Sequence, residues 1–305
     1  MTQKIVVVGS SNTDMVIKME RLPKPGETLL GGDFIKAAGG KGANQAVAAA
    51  RLGGQVTFVA RVGTDIFGSE AVENFRKDGI DVEHVSVDPD NPSGVALIFV
   101  DANGENCIAV ASSANNHLSP ADVQLATHQI ANANVLLMQL EIPLDTVQAA
   151  AEIAHKNGVQ VILNPAPARE LDDELLRYVS IITPNETELE LLTGKKVTDA
   201  ASAESAARVL LDRGVKTVIV TLGAQGAFLL SGDVATMVPS KTISALDTTA
   251  AGDAFNGALA FALAQGMPLQ EAVHFSNMTG ALSATNLGAQ PSMPTLEQLQ
   301  LFMDA

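Results

Sequence analysis

The sequence predicts an α/β fold: a mostly parallel sheet in a three-layer α/β/α arrangement, with helices covering both of its faces. Short, wholly apolar runs recur along the chain, as expected of strands that are buried on both sides. Segments rich in Ala, Leu and charged residues at helical spacing alternate with these runs. Short connections between alternating strands and helices favour parallel strands joined by crossover helices.

The predicted strands and helices can be placed in order along the chain. The apolar runs lie at residues 5–8, 56–59, 135–138, 159–163, 181–182 and 218–220. The helical segments lie at residues 43–52, 69–77, 144–156 and 201–213, and a short helix is expected at 295–303. Ligands of such sheets bind outside the carboxyl ends of the strands, so residues that directly follow a strand are the first candidates for a site.

Length and composition indicate one large globular domain. The chain has 305 residues, of which 47% are apolar and 17% charged, and this balance excludes a disordered polyelectrolyte. The length also allows two smaller domains, but we expect a single α/β domain over residues 1–305 with a lid inserted into it. The 34 Asp and Glu outnumber the 19 Lys and Arg, for a formal charge of −15. This surplus argues against a nucleic-acid partner, because such binding depends on Lys and Arg.

The sequence carries no pattern typical of secretion, membrane insertion or zinc binding. Its single cysteine, Cys107, permits no intrachain disulfide, so a reducing, cytoplasmic location is expected. The apolar run at residues 5–8 is too short for a signal peptide, and the stretch at 254–264 is about half a membrane span. The five histidines are never four residues apart and no CxxC occurs, which argues against zinc.

Two segments, residues 14–36 and 94–112, break the alternation of strands and helices. Both combine extended, apolar stretches with Pro, Gly or Asn at the turns, a pattern typical of β-hairpins. We expect them to form a small antiparallel β-sheet that lies as a lid over the carboxyl edge of the main sheet. The alternative is that both segments are edge strands of the main sheet.

The strongest local signal for chemistry lies at residues 247–264. Small residues at 248–252 precede a long apolar helix that has Asp253 in its first turn. Unpaired N–H groups at a helix N-terminus attract anions, and small side chains let a phosphate approach them closely. Asp253 would then accept the proton of a hydroxyl group that attacks the phosphate. In the alternative interpretation, Thr248 or Thr249 caps the helix and Asp253 complements its dipole.

A second signal is the glycine-rich segment around Lys41, just before a predicted helix. Gly39, Gly40 and Gly42 surround this lysine. The segment is not a Walker A loop, because Gly42 rather than Ser or Thr follows Lys41, and its spacing does not fit GxGxxG. With Lys41 and Asn44 pointing into one site, it could bind a small polyol. The alternative is a flexible connection with a solvated lysine.

Polar residues also follow two predicted strands. Asn12 and Asp14 come after the first strand and share one face if the chain stays extended, and both can bind vicinal hydroxyl groups. Glu141 comes soon after the run at 135–138. A lone polar residue at a strand end usually belongs to a loop, but strand ends converge in this architecture.

Two later segments are candidates for binding a nucleotide and its metal. Asn185 and Glu188 fall on the first turn of a helix, where they could hold Mg²⁺ through water. They could equally cap that helix and complement its dipole. Residues 221–226 follow a strand and either offer Thr221 and backbone N–H groups to a nucleotide or make a tight turn.

Eight stretches together resemble a known family. They are SNTD at 11–14, GGKGANQAVAAARLG at 39–53, GVALIFVDANGEN at 94–106, MQLEIP at 138–143, LNPAPARELDDELL at 163–176, TPNETELE at 183–190, DTTAAGDAFNGAL at 247–259 and GAQPSMP at 288–294. The chain resembles the ribokinase/PfkB family of ATP-dependent sugar kinases over nearly its whole length. The resemblance implies a ribokinase-like fold and phosphorylation of the 5-hydroxyl of D-ribose by ATP.

The resemblance also implies roles for individual residues. Asp253 would be the catalytic base, and the anion hole for the transferred phosphoryl group would consist of the amides of Ala250, Ala251, Gly252 and Asp253. Such a reaction depends mainly on positioning and electrostatic stabilisation. The positions that match the sugar site are Asn12, Asp14, Gly40, Lys41, Gly42, Asn44, Glu141 and Asp253. The positions that match the ATP site are Asn185, Thr221, Gly223, Gly226, Gly252 and Asn277.

Two metal ions and a second copy of the chain are implied as well. Glu188 would hold Mg²⁺ through water, and a monovalent cation, usually K⁺, would lie beside the anion hole. Its ligands would come from Asp247, Thr249, Ser283, Asn286, Gly288 and Ser292. Two lids would pack together into a homodimer, which would cover their unpaired edges.

Two other functions remain open from the sequence. The first is the same chemistry on another acceptor, such as deoxyribose, fructose or adenosine. A nucleoside would benefit from stacking on aromatic residues, which make up only 4% of the chain. The second is a non-catalytic sugar-binding sensor, which the intact Asp253 and the small residues before it argue against.

Overall fold

The computed structural model describes residues 3–30, 32–103 and 105–305. Met1, Thr2, Gly31 and Gly104 lie outside the described residues, the last two within the predicted lid segments. The strands are β1 Lys4–Val8, β2 Asn12–Lys18, β3 Asp33–Gly39, β4 Gln55–Gly63, β5 Val85–Asp88, β6 Gly94–Val100, β7 Asn106–Ala111, β8 Val135–Met138, β9 Gln160–Leu163, β10 Ile181–Ile182, β11 Thr217–Thr221, β12 Ala227–Ser231 and β13 Val234–Val238. The α-helices are α1 Lys41–Arg51, α2 Ile66–Lys77, α3 Pro120–Leu125, α4 Thr127–Ala131, α5 Leu144–Lys156, α6 Asp173–Tyr178, α7 Glu186–Thr193, α8 Ala200–Asp212, α9 Ala251–Ala264, α10 Leu269–Ser283 and α11 Leu296–Asp304. Short 3₁₀ helices lie at Ser113–His117, Gly223–Gln225 and Gln290–Ser292.

The main sheet is mostly parallel, as predicted. Within the described ranges it has nine strands in the order β13-β12-β11-β10-β9-β8-β1-β4-β5. β1 lies near the middle and pairs in parallel with both β8 and β4, so that Val6 lies beside Leu136 on one side and Thr57 on the other. β12 and β13 add an antiparallel hairpin at one edge. The order reverses around β1, which makes the carboxyl end of β1 a topological switch point.

Alternate residues of the central strands enter two separate cores. In β1, Val6 and Val8 pack with the helices α3 to α8, whereas Ile5 and Val7 pack with α1, α2 and α9 to α11. All four side chains are buried. This alternation explains the wholly apolar run, because each face of the strand is covered by helices. The three-layer α/β/α arrangement is therefore confirmed.

Each apolar run that the sequence analysis identified overlaps a strand of the main sheet, and α5 has the predicted bounds. The hairpin of β12 and β13 is an element that the sequence analysis missed. β13 is largely exposed and has no continuous apolar run, so it gave no signal of burial. The available signal was the Gly-Asp pair at 232–233, where Gly232 has φ +56° in a two-residue turn.

The predicted lid segments form a separate sheet, here called the small sheet, which consists of β2, β3, β6 and β7. Its order is β3-β2-β6-β7. The pairs β2/β3 and β6/β7 are antiparallel hairpins, as expected, and the two hairpins meet along the parallel pair β2/β6. These strands do not pair with the main sheet within the described residues, so the alternative of edge strands is wrong.

The helices α1 and α9 approach each other closely at Gly257. A Cβ atom at this position would lie 2.6 Å from both the Cβ of Ala48 and the backbone oxygen of Gln45. Both of those atoms belong to α1, where Ala48 is fully buried. The absent side chain therefore lets the second turn of α9 lie against the second turn of α1.

Candidate active site

The carboxyl ends of β1 and β8 bring together polar residues from three parts of the chain. The hydroxyl of Ser10, after β1, donates to Oε2 of Glu141, after β8, at 2.5 Å. The backbone N–H of Lys41, at the start of α1, donates to the same oxygen at 3.0 Å. Glu141 therefore links the switch point of the sheet to the N-terminus of α1.

The N-terminus of α9 is capped by backbone geometry and not by a side chain. The N-cap residue is Ala250, which adopts the left-handed conformation with φ +59° and makes no side-chain cap bond. The alternative in which Thr248 or Thr249 caps this helix is therefore wrong. Among the described residues, the N–H groups of Gly252 and Asp253 have no acceptor, whereas that of Ala251 donates to the oxygen of Thr248 at 3.2 Å. Unpaired amides of this kind attract an anion.

The carboxylate of Asp253, in the first turn of α9, contacts two buried side-chain amides. Its Oδ2 accepts from Nδ2 of Asn44 at 2.9 Å, and its Oδ1 accepts from Nε2 of Gln45 at 2.9 Å. The Asp253 side chain is buried, and burial raises its pKa above the ordinary value against the opposing effects of Lys41, Asn44 and Gln45. A carboxylate in such surroundings is a stronger base than an exposed one.

Lys41 lies among carboxylates and is not a solvated surface lysine. Burial alone would lower its pKa, but the charges of Asp253, Glu141 and Glu188 outweigh this effect and hold the pKa above its ordinary value. For the carboxyl group of Glu188, burial has the opposite effect and raises the pKa, although the hydrogen bond from the Asn185 N–H and the charge of Lys41 lower it. Lys41 therefore stays protonated among the carboxyl groups of Asp253, Glu141 and Glu188.

A cavity of about 220 Å³ adjoins these groups. It is lined by residues that follow strands and by the first turn of α9: Lys41, Asn164, Ala166, Thr183, Asn185, Glu188, Thr221, Ala250, Gly252, Asp253 and Asn256. The cavity has positive charge, carboxylates and unpaired amides at its wall. It is the space in which a phosphate group and a hydroxyl group could meet next to Asp253.

The sugar-site candidates on β2 lie over the glycine segment that precedes α1. A Cβ on Gly39 would lie 2.2 Å from Oδ2 of Asp14, so the carboxylate rests directly on this glycine. Gly40 has φ +88°, which places it in the conformation that favours glycine. Oδ1 of Asn12 accepts from Nδ2 of Asn115 at 2.8 Å. Asn12 and Asp14 share one face of β2, as the sequence analysis expected.

The nucleotide candidates are divided between the cavity and its surroundings. Asn185 and Glu188 form a capping box at α7, because each side chain accepts from the other's backbone N–H at 2.8 and 2.9 Å. Their capping role and their place at the cavity therefore coexist. Gly223 is exposed, whereas a Cβ on Gly226 would lie 2.2 Å from the oxygen of Val238. The absence of a side chain at Gly226 thus allows its backbone to lie close to the backbone of Val238.

Asn277 and the cation candidates lie outside the cavity lining. Nδ2 of Asn277 donates to the oxygen of Val238 at 2.8 Å. The carboxylate of Asp247 accepts from the N–H groups of Thr249 and Gly288, both at 2.9 Å. The remaining candidates lie close to these loops: the buried hydroxyls of Ser283 and Ser292 are 2.7 Å apart, and the exposed Asn286 donates to the oxygen of Leu282 at 3.2 Å.

Several polar residues of this region were not singled out from the sequence. They are Gln45, Gln139, Asn164, Thr183 and Asn256. Thr183 donates to Oδ1 of Asn256 at 2.6 Å, and the Nδ2 of Asn256 donates to the oxygen of Gly252 at 2.8 Å. The signal that could have found Asn164 was its position directly after a strand; Asn256 lies one turn after Asp253.

A metal cluster and a membrane-spanning helix each impose requirements that the described residues can be compared with. Across the part of the chain that the structure describes, no group of three or more His, Cys, Asp or Glu could hold a metal ion. In the same residues, no helix has both the length and the apolar character that a membrane crossing requires.

Comparison with known proteins identifies close relatives over the full length. Residues 2–296 match the family model described as pfkB family carbohydrate kinase. The chain is 47% identical to a ribokinase of Haemophilus influenzae, covering 100% of this chain and 99% of the relative. It is 41% identical to a deoxyribokinase of Salmonella typhimurium, with 98% of each covered. The structure of an Arabidopsis thaliana ribokinase complexed with ribose and ATP matches with a TM-score of 0.92 at 33% identity, covering 100% of both chains.

Proposed function

The chain belongs to the pfkB family of carbohydrate kinases, and we propose from this membership that it phosphorylates the 5-hydroxyl of D-ribose with ATP. The observation that carries the proposal is the position of Asp253. This buried carboxylate adjoins the unpaired amides of α9, so a proton acceptor and an anion site meet at one cavity. Relatives named as ribokinases at up to 47% identity support ribose as the acceptor.

The geometry supports a direct transfer between bound substrates. The ribose O5 attacks the terminal phosphorus of ATP, the O5–P bond forms, and the bond from phosphorus to the bridging oxygen of ADP breaks. Asp253 takes the proton that O5 loses. The N–H groups of Gly252 and Asp253, with that of Ala250, stabilise the charge on the transferred phosphoryl group. Lys41 adds a positive charge at the same cavity.

The sugar is held by side chains around the switch point of the main sheet. We assign this role to Asn12, Asp14, Gly40, Lys41, Gly42, Asn44 and Glu141. Buried Oδ1 of Asn44 has no hydrogen-bond partner among the described residues, so it is available to a sugar hydroxyl. Nδ2 of the same side chain contacts Asp253, which would place that hydroxyl beside the base.

ATP occupies the side of the cavity formed by α7 and the residues after β11. Asn185, Thr221, Gly223, Gly226, Gly252 and Asn277 are its proposed binding positions. Glu188, a carboxylate at the cavity wall, would hold Mg²⁺ through water. This fits a magnesium ion bound mainly by phosphates, which needs only one or two protein carboxylates.

A monovalent cation fits the loops beside the N-terminus of α9. The N–H groups of Leu246 and Asp247 donate to the oxygen of Ala284 at 2.8 and 3.2 Å, which joins the two loops. Carboxylate, carbonyl and hydroxyl oxygens are ligands that suit a hard cation. Asp247, Thr249, Ser283, Asn286, Gly288 and Ser292 would supply them. The bound K⁺ would add positive charge next to the amides of α9.

The experiment that tests the proposed function is a coupled ADP-release assay over pentoses, hexoses and nucleosides, with and without K⁺. Selective turnover of ribose, stimulated by K⁺, is expected. Selective turnover of deoxyribose would instead favour the alternative that the 41% identical deoxyribokinase represents. Sugar binding without turnover would mean a sensor and contradict the proposal.

The activity is expected to depend on the charge of Asp14. Burial, together with the charges of Glu141 and Asp253, raises the pKa of Asp14 to about 6. As the pH falls through this value, Asp14 takes up a proton and loses an acceptor for sugar hydroxyls. We therefore expect kcat/KM for ribose to fall below pH about 6, measured as a pH profile.

The variant Asp14→Asn provides the control for this profile. It should lower kcat/KM at every pH and should make the fall toward low pH less steep, because Asp253 then titrates without Asp14. A wild-type profile that stays level down to pH about 4, near the ordinary pKa of 3.8, would contradict the assignment.

We also propose that the small sheet is the lid of a single α/β domain and that two lids pair in a homodimer. β7 is an edge strand of this sheet and all six of its residues are exposed. Ile108 and Val110 on this strand are 54% and 49% exposed, which leaves an apolar face for a second copy. The single Cys107, also exposed on β7, suits a reducing, cytoplasmic setting.

The variant Ile108→Lys is expected to shift the dimer to a monomer in sedimentation velocity, because a charge would enter the apolar interface. Leu125→Lys is the matched control, since Leu125 is 76% exposed on α3, outside the small sheet, and should leave the dimer intact. Wild-type protein that sediments as a monomer would contradict this pairing of lids.

A further inference from the structure

Each oxygen of the Asp253 carboxylate accepts a hydrogen bond from a side-chain amide. Asn44 donates to Oδ2 and is one of the proposed sugar-site residues. Gln45 donates to Oδ1 at 2.9 Å, and its side chain is fully buried. Gln45 therefore contacts the proposed base but has no exposed surface for a substrate to touch.

The orientation of the Gln45 amide is fixed by its other neighbours. Nε2 of Gln45 has two hydrogens and two acceptors, Oδ1 of Asp253 at 2.9 Å and Oδ1 of Asn164 at 3.0 Å. Oε1 of Gln45 accepts from Nε2 of Gln139 at 2.6 Å. In a flipped Gln45 amide, Oε1 would lie against the oxygens of Asp253 and Asn164. Its Nε2 would then face the Nε2 donor of Gln139, so only the observed orientation satisfies all three contacts.

Gln139, which directly follows β8, packs against Gly9, and its Oε1 has no hydrogen-bond partner among the described residues. Its side chain is fully buried, and a Cβ on Gly9 would lie 2.2 Å from its Oε1. Because Gly9 has no side chain, Gln139 can occupy this space next to Gln45. Burial keeps water away from this chain of amides, so a lost donor would not be readily replaced.

We propose that Gln45, oriented by Gln139, is a positioning residue that holds the Asp253 carboxylate in the orientation required to accept the proton from ribose. This inference rests on the proposed kinase function. Without Gln45, the carboxylate keeps only its bond to Asn44 and can rotate about its terminal torsion. Since the ionised form of Asp253 is the one that Gln45 hydrogen-bonds, removal of this donor also makes the carboxylate harder to ionise.

The test is the pH dependence of kcat at saturating ribose and ATP for Gln45→Leu. We expect kcat on the plateau to fall about tenfold to hundredfold and the acid limb to move up by about one pH unit, as for one lost hydrogen bond to a charged group. KM for ribose should change much less than kcat, because Gln45 is fully buried and has no surface that the sugar could touch. An acid limb that stays in its wild-type position would overturn the proposal.

Gln45→Met provides a second variant of similar length. Its thioether cannot donate to Asp253, so the acid limb should move up as in Gln45→Leu. An upward shift in only one of the two variants would contradict the role assigned to the donor, because both lack it and they differ in packing.

Gln139→Leu tests whether Gln139 acts through Gln45. Alone it should move the acid limb upward, but in the Gln45→Leu background it should have no further effect. Additive shifts would overturn the relay. Thr146→Val, which removes the buried bond from Thr146 Oγ1 to the oxygen of Leu118, is the control for lost stability and should leave the pH profile unchanged. Wild-type enzyme that fails to phosphorylate ribose would instead refute the proposed function.

Discussion

Replacement of Asp253 by Asn is expected to lower kcat for ribose by at least about 10²-fold, the lower range for a general base. The amide has nearly the size of the carboxyl group but cannot take the proton from O5. The position of the helix should not change, because α9 is held by its packing against α1 and α10. Steady-state ADP release at several ribose concentrations measures the effect, and near-normal turnover would contradict the role of Asp253.

The stability of this variant provides an independent check. Burial raises the folded-state pKa of Asp253 above its ordinary value, so the charged form costs free energy as the pH rises through that pKa. The neutral Asn has no such cost, but its NH2 group would face a donor of Asn44 or Gln45, so its free energy of unfolding at neutral pH should stay close to that of the wild type. Asp199→Asn is the matched control, because an Asn can still cap α8 and activity should stay normal.

Replacement of Gly257 by Val is expected to lower the free energy of unfolding by about 3 kcal/mol, the upper end of the usual cost of overpacking. The new side chain would begin 2.6 Å from Ala48 and from the backbone of Gln45, which cannot move aside easily. Separation of α1 from α9 would also pull the donors of Asn44 and Gln45 away from Asp253. Urea unfolding measures the loss of stability, and kcat should fall as well.

Gly252→Val is the matched control for stability, since Gly252 lies in the same helix. A Cβ on Gly252 would have no neighbour within 4 Å, so the same substitution should leave the free energy of unfolding nearly unchanged. Equal losses in the two variants would show that helix preference, and not the contact with α1, determines the effect.

The sequence predicted best what depends on local pattern. The strands of the main sheet are buried on both faces, so their apolar runs were continuous and easily recognised. Asp253 was identified because the small residues before it and the apolar helix after it are adjacent in the chain. The capping alternative for α9 failed because Ala250 turns into the left-handed conformation, which propensity does not anticipate for alanine.

The contacts that orient the base could not be predicted in this way. Gln45 and Gln139 are 94 residues apart, and Gln45 and Asp253 are 208 apart. No spacing rule links such positions, and a buried Gln next to Asn44 is indistinguishable in sequence from an ordinary helix residue. Asn185 shows a different difficulty. It caps α7 and also lines the cavity, so the capping interpretation and the nucleotide-site interpretation do not exclude each other.

The short connection between the two sheets has a thermodynamic consequence. Only residues 9–11 separate β1 from β2, and β2 bears both Asn12 and Asp14 before it continues into the small sheet. A rigid movement of the small sheet therefore carries two proposed sugar contacts with it. If pairing of lids favours the position in which those contacts form, ribose affinity and dimer affinity are reciprocally linked. Ribose should then strengthen the dimer by the same factor by which dimerisation strengthens ribose binding.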